Sequence, residues 1–224
     1  MAPMHREQSN GIVKKQGVKM GLNMGIMQET SCVLQEAHGR FIFDMRDAKT
    51  GEQLVYFERD NVLTLDCGIL AARLFRNSLD PVAGTSLSKG ITHLDIGSGA
   101  TGNILSPDAP QPEQRKLNTR LARKAVTTQF RNDAGVAVSY PTHIVDYTTT
   151  YSESEANGPL NEMGLVSAYN NAGFNDINNG SGTVDPYDAT IDVSAKDLLA
   201  NYLTFGVIVK PATAILTITW RLTF

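Results

Sequence analysis

Cysteine is almost missing from this chain: Cys32 and Cys67 are the only two in 224 residues. Two are too few for a disulfide framework, and they stand in no metal-ligand spacing, so both are expected as buried free thiols of a protein made in a reducing compartment. Apolar runs of the ~18 residues that a membrane helix needs are absent, and residues 1–12 lack the apolar core of a secretory signal. The chain is therefore expected to be soluble, with no membrane as partner. A dominant sign of charge is lacking too. The formal charge is −3 and the pI is near 5.8, which gives no reason to expect nucleic acid or an anionic membrane.

Catalytic groupings are equally scarce. His5, His38, His93 and His143 show no H-x-x-x-H spacing, and no G-x-S-x-G elbow occurs. Glu153 and Glu155 share one face of a strand, but nothing gives them the asymmetry of an acid and a base. Asp176, Asp185 and Asp188, with Asn178 and Asn179, do not follow the calcium-loop order of ligands. The expectation is a non-enzymatic protein with no cofactor and no metal.

What is present is strand patterning. Leu216, Ile218, Trp220, Leu222 and Phe224 alternate with Thr217, Thr219, Arg221 and Thr223, which predicts a strand with one buried face. Its partners must lie far upstream, and Phe224 is expected to be tied into the sheet. Residues 41–46 and 53–58 flank a turn containing Gly51 and read as a hairpin. Leu70 and Leu74, with Ala71 and Ala72 between them, predict one short helix over 65–76. Strands are also expected at 91–96, 136–140, 142–151 and 202–209, with a short apolar piece at 163–166. The 202–209 strand is expected to form a hairpin with the C-terminal one around 210–213. Residues 170–188 are rich in Asn, Gly, Asp and Ser and read as a solvated loop. Many short strands and a single helix indicate an all-β domain, a β-sandwich or jelly-roll-like fold, over 31–224.

Residues 1–30 read as an extended arm. Glycines punctuate them, yet Met20, Leu22, Met24, Ile26 and Met27 are too apolar for a purely solvating tail, and burial against another subunit is expected. Met20, Met24 and Met27 fall at helical spacing, but Gly21 and Gly25 would each weaken a helix there by about 1 kcal/mol. A second candidate for docking is the densest basic run, Arg115, Lys116, Arg120, Arg123 and Lys124. Leu117 and Leu121 stand four apart in it and suggest a short helical turn with a charged outer face. Without interleaved aromatics this is expected to be a basic edge meeting an acidic neighbouring subunit, not a nucleic-acid surface.

Gly97-Ser98-Gly99-Ala100-Thr101-Gly102 matches the dinucleotide fingerprint and follows a predicted strand. The fingerprint needs a helix to open at these glycines, and Pro107, Pro110 and Pro112 exclude one. A plain turn that binds no nucleotide is expected.

Four features occur in one order: Ile91-Thr92-His93-Leu94-Asp95-Ile96-Gly97-Ser98-Gly99; residues 117–126 with Leu121-Ala122-Arg123-Lys124; Glu155-Ala156-Asn157-Gly158-Pro159-Leu160-Asn161-Glu162-Met163-Gly164-Leu165; and Leu216-Thr217-Ile218-Thr219-Trp220. Together they resemble a class of small virion structural proteins of tailed bacteriophages, over residues 60–224. The resemblance implies a β-sandwich assembled as rings or trimers with copies of itself and other virion proteins, at the tail, neck or baseplate or where fibres attach. It implies a protein that enters the virion from the bacterial host cytoplasm, and structural roles for Gly97, Gly99, Asn157, Gly158, Glu162, Gly164, Trp220 and Phe224. Capsid decoration is an alternative within the class. A carbohydrate-binding receptor module is another from outside it, with Tyr147, Tyr151, Tyr169 and Tyr187 as the aromatic candidates.

Overall fold

Residues 37–76, 90–169, 175–177, 190, 192–193 and 195–224 are described by the computed structural model. The arm at 1–30, Cys32 and most of the 170–188 loop lie outside them. The predicted hairpin forms between β1 (His38–Asp47) and β2 (Gln53–Leu63). Its turn is set by Asp47, whose Oδ1 accepts from Lys49 N at 2.9 Å and Thr50 N at 2.8 Å, and by Gly51 at φ 73°. Helix α1 (Leu65–Arg76) follows as its spacing requires, with Leu70 packed on Ile177, Leu198 and Ala200.

The remaining strands are β3 (His93–Gly97), β4 (Gly102–Asn103), β5 (Ser106–Pro107), β6 (Arg120–Ala125), β7 (Thr127–Arg131), β8 (Ala137–Val138), β9 (Ile144–Tyr151), β10 (Gly158–Ser167), β11 (Leu198–Lys210) and β12 (Ala214–Thr223). Ten of the twelve described strands, β1 and β2 included, make one antiparallel sheet in the order β6-β3-β10-β11-β2-β1-β12-β9-β7-β8, and β4 pairs with β5 apart from it. Two strands turn the corners. β2 pairs with β1 along most of its length and with β11 only at Val62 and Leu63. β6 pairs with β3 and, one residue later, β7 pairs with β9. The sheet thereby folds into two facing layers, a sandwich-like all-β architecture.

The core lies between the layers. Leu94, Ile96, Leu160, Met163, Leu165, Leu203 and Phe205 face Phe41, Phe43, Tyr151, Leu216, Ile218 and Trp220 across it. β12 shows a strict alternation of buried and half-buried positions, as its sequence demands. It lies between β1 and β9, whose residues are indeed far upstream.

Several expectations are corrected. β11 and β12 do not form a hairpin: β11 pairs with β10 and β2 and β12 with β1 and β9, so the turn at 211–213 carries the chain from one layer to the other. The Phe224 backbone is tied to the sheet, its N donating to His143 O at 3.0 Å, but its side chain lies past the end of β12 and is 52% exposed, so Leu222 is the last core residue. Residues 120–125 form a strand and not a helical turn: Leu117 is buried while Leu121 is 43% exposed, and the β3 ladder outweighs their weak i,i+4 contact. Of 136–140 only Ala137 and Val138 pair, with Val136 and Tyr140 left exposed. Conversely, the short apolar piece at 163–166 is the middle of β10, a strand of ten residues. Cys67 is a free thiol but only half-buried, and burial raises its pKa.

Candidate functional site

Glu162 sits on β10 opposite Gly97, the last residue of β3, and is wholly buried. A carboxylate in such a place needs its hydration replaced. Its Oε1 accepts from Gly99 N and Thr119 N, each at 2.8 Å, and its Oε2 from Asn118 N at 3.0 Å and the Tyr202 hydroxyl at 2.8 Å. Burial, with the neighbouring Glu162 charge, raises the Tyr202 pKa far above its ordinary value, so its proton stays in the bond. Asn118 Nδ2 closes the knot on Gly99 O at 3.0 Å, and Asn161 Oδ1 accepts from Ala100 N at 3.0 Å.

The two glycines of the turn serve close approach. A Cβ on Gly99 would overlap the Thr119 nitrogen and stand 2.7 Å from Glu162 Oε1, and one on Gly97 would stand 2.9 Å from the same oxygen. Neither has positive φ; Gly102, at φ 88°, does. Gly164 is bare for a similar reason, since its Cβ would lie 2.5 Å from Asn201 O. The segment after the turn forms β4 and β5, where the dinucleotide fingerprint requires a helix. Thus Gly97 and Gly99 from one segment and Glu162 from another meet in one polar knot, while Gly164, two residues on along β10, serves close approach to β11. Beside it lies a cavity of about 400 Å³ walled by Thr101, Asp108, Gln111, Gln114, Asn118 and Tyr202. No group of three His, Cys, Asp or Glu side chains able to hold a metal occurs among the described residues.

The basic run is brought inside. Arg123 donates to Asp95 at 2.6 and 2.8 Å and to Asp197 at 2.6 Å, while Arg120 bridges Asp95 at 3.3 Å and pairs with Asp176. Arg115 is buried and donates from Nε to Asp66 at 3.0 Å, tying the first turn of α1 to the 108–118 segment. Burial raises the Asp95 pKa against the opposing pull of Arg123. Burial likewise opposes the Arg123 charge, but the bonds to Asp95 and Asp197 outweigh it and the guanidinium is held cationic. Lys124 reaches Glu155 at 2.6 Å. Four of the five cations expected on a docking edge therefore have carboxylate partners within the chain, and Arg115 is not accessible to a partner; Lys116 is half-buried. Sequence spacing could not reveal this, because the partners are between 25 and 74 residues away, from Arg120 with Asp95 to Arg123 with Asp197.

Sequence reasoning also missed Lys210. Its side chain is buried at the end of β11, where Nζ donates to Ser152 O at 2.8 Å and to Asn157 Oδ1 at 2.9 Å. Burial lowers its pKa, with Glu155 and Glu153 opposing. The turn it holds contains Ala156 at φ 51° and Gly158 at φ 114°, which explains the glycine at 158, while Asn157 ties the turn through its side chain, with Nδ2 donating to Glu153 O at 2.8 Å. Glu155 stands on the same turn. The hydrogen bond from Lys124, with that from Ser152 N, draws its pKa from about 4.5 down to about 2. A carboxyl whose pKa is lower in the folded state stabilises the fold fully above pH ~4.5 and loses that contribution as pH falls toward ~2. Denaturant melts across this window should show a shallower acid slope for Glu155→Gln than for the native chain. An identical slope would mean that the pair is not formed in solution.

The aromatic candidates do not gather on the surface. Tyr151 is 1% exposed and donates to Leu94 O at 2.9 Å, and Tyr147 is half-buried with its pKa pushed up to about 12 by burial. Tyr169 is half-buried and Tyr187 lies outside the described residues. Large apolar side chains are displayed elsewhere. Ile104, Leu105 and Val209 are 61%, 76% and 63% exposed. The first two form the tip between β4 and β5, and that tip is pinned: Val207 N donates to Ile104 O at 2.9 Å, and Leu105 N to Asn103 Oδ1 at 2.8 Å. Gly206 lets the tip approach β11, since a Cβ there would stand 2.7 Å from Leu105 O.

No protein-family model, curated protein or solved structure matches the chain.

Proposed function

We propose that the protein is a non-enzymatic structural component of a tailed-bacteriophage virion, which docks neighbouring subunits or fibres at the tail, neck or baseplate. The observation that carries this reading is the convergence of three of the four resembling segments on Glu162. The Gly97-Ser98-Gly99 turn, Asn118 with Thr119, and β10 are bonded there as one unit. The fourth, β12, supplies the opposite wall of the core. The segments behind the resemblance are thus the interior of a rigid scaffold. The pinned Ile104 and Leu105 give such a scaffold a surface for its neighbours.

The purified full chain is expected to sediment as a ring or trimer. The double variant Ile104→Asp, Leu105→Asp is expected to sediment as a smaller species at an unchanged melting temperature, because neither side chain contributes to the core. Antibody raised against the chain should label intact phage particles. A full chain that stays monomeric at every concentration, with no labelling of particles, would overturn the reading.

A further inference from the structure

Lys210 is a wholly buried lysine whose hydrogen bonds go to neutral acceptors, Ser152 O at 2.8 Å and Asn157 Oδ1 at 2.9 Å. Among the described residues no carboxylate forms a salt bridge with it. A buried ammonium without an anionic partner is costly, so burial favours the neutral amine and lowers the Lys210 pKa against the weaker pull of Glu155 and Glu153. A desolvated, neutral lysine amine is a nucleophile. What it faces is an amide held in place. Gly158 pairs with Lys210 across the β10–β11 ladder, so the turn that opens β10 brings Asn157 to the end of β11. Asn157 Nδ2 donates to Glu153 O at 2.8 Å, which points the amide carbonyl at Nζ. A C=O bond is about 1.2 Å long, so Nζ lies within about 4 Å of Cγ, and a small turn of the amide brings the two to an attack distance of about 3–3.5 Å. Asn157 is itself exposed, which gives a small leaving group a way out.

We propose that Lys210 and Asn157 become joined by an intramolecular isopeptide bond. Nζ adds to Cγ, and the C=O bond opens to a tetrahedral adduct that carries both nitrogens. One proton passes from Nζ to Nδ2, with the Glu155 carboxylate on the same turn, within electrostatic reach of Nζ, as its relay. The Cγ–Nδ2 bond then breaks, ammonia leaves into solvent and the carbonyl re-forms. One amide C–N bond is made for the one that is broken, so the step needs no oxidant, reductant or cofactor. The product links two residues 53 positions apart, the last of β11 and the one before β10. Neighbouring strands of the ladder are then clamped covalently at one end. The bond forms within one copy and does not depend on what the protein docks to.

Intact-mass spectrometry of the purified full chain tests it. The folded protein should weigh about 17 Da less than its amino-acid sequence requires, the mass of one ammonia, and a protease digest should yield a branched fragment that holds both Asn157 and Lys210. Lys210→Arg and Asn157→Ala should each restore the full sequence mass and abolish the branched fragment. The native chain decides the matter without any variant. If it keeps its full mass after prolonged incubation of the folded protein at alkaline pH, where the amine is neutral, the proposal is overturned. It is overturned equally by a loss of about 17 Da that persists in Lys210→Arg, which would mark Asn157 closing on the Gly158 nitrogen instead.

Discussion

Trp220→Ala is expected to lower the unfolding free energy by about 3–5 kcal/mol, the cost of deleting a fully buried large aromatic from a packed core. Trp220 is wholly buried in the middle of β12, opposite Phe41 on β1 and Tyr147 on β9, with the Phe41 ring 5.9 Å away between centroids. Both flanking strands are fixed by the ladder, so the walls cannot collapse into the space left behind. Denaturant melts of the two proteins measure the loss directly. Phe224→Ser is the companion test: a side chain past the strand end and half in water should contribute little, and its melt should overlay that of the native chain. A Trp220→Ala protein as stable as the native one would mean that the two layers do not close over this ring.

Removal of the Glu162 carboxylate should be comparably severe. Glu162→Ala leaves the N–H groups of Gly99, Asn118 and Thr119 and the Tyr202 hydroxyl without their acceptor in a buried site. Each buried donor left unpaired costs about 1–3 kcal/mol, so a total loss of at least about 3 kcal/mol is expected after local relaxation. Glu162→Gln keeps the volume but turns an amide nitrogen toward groups that are themselves donors, and should cost about 1–3 kcal/mol. The order native, Gln, Ala in denaturant midpoint is the expected result. If the Gln variant matches the native protein, the four bonds do not carry the turn. Because the donors come from segments 63 and 43 residues upstream of Glu162, the Ala variant should also release the Gly97-Ser98-Gly99 turn, visible as faster amide exchange at Gly99 and Thr119.

Local periods were legible without a structure. The alternation of Leu216, Ile218, Trp220 and Leu222 specifies the buried row of β12, the Asp47 to Gly51 turn specifies the first hairpin, and Leu70 with its alanines specifies α1. Each depends on residues within a few positions of one another, so steric preference and the two-residue or 3.6-residue period are enough. The glycines at 97, 99 and 164 were legible as sites of structural need. Their reason was not: the need is space against Thr119, Glu162 and Asn201, not a positive φ.

Tertiary structure alone decided which strands share a layer, and hence that β11 and β12 part at 211–213 where the sequence suggested a hairpin. It decided that Arg115, Arg120 and Arg123 turn inward to Asp66, Asp95, Asp176 and Asp197, and that Lys124 pairs with Glu155 at the surface, because a guanidinium gains more from a desolvated carboxylate than from water only when the fold has brought that carboxylate to it. It placed Glu162 under three backbone donors from two other segments and drew Lys210 over the Asn157 turn. The sequence by itself determined β1, β2, β9 and β12, the helix and the all-β class, since those follow from patterns a few residues long. The polar knot and the buried ion pairs exist only once chain segments tens of residues apart are packed together, because no local period records which distant partner each charged or backbone group will meet.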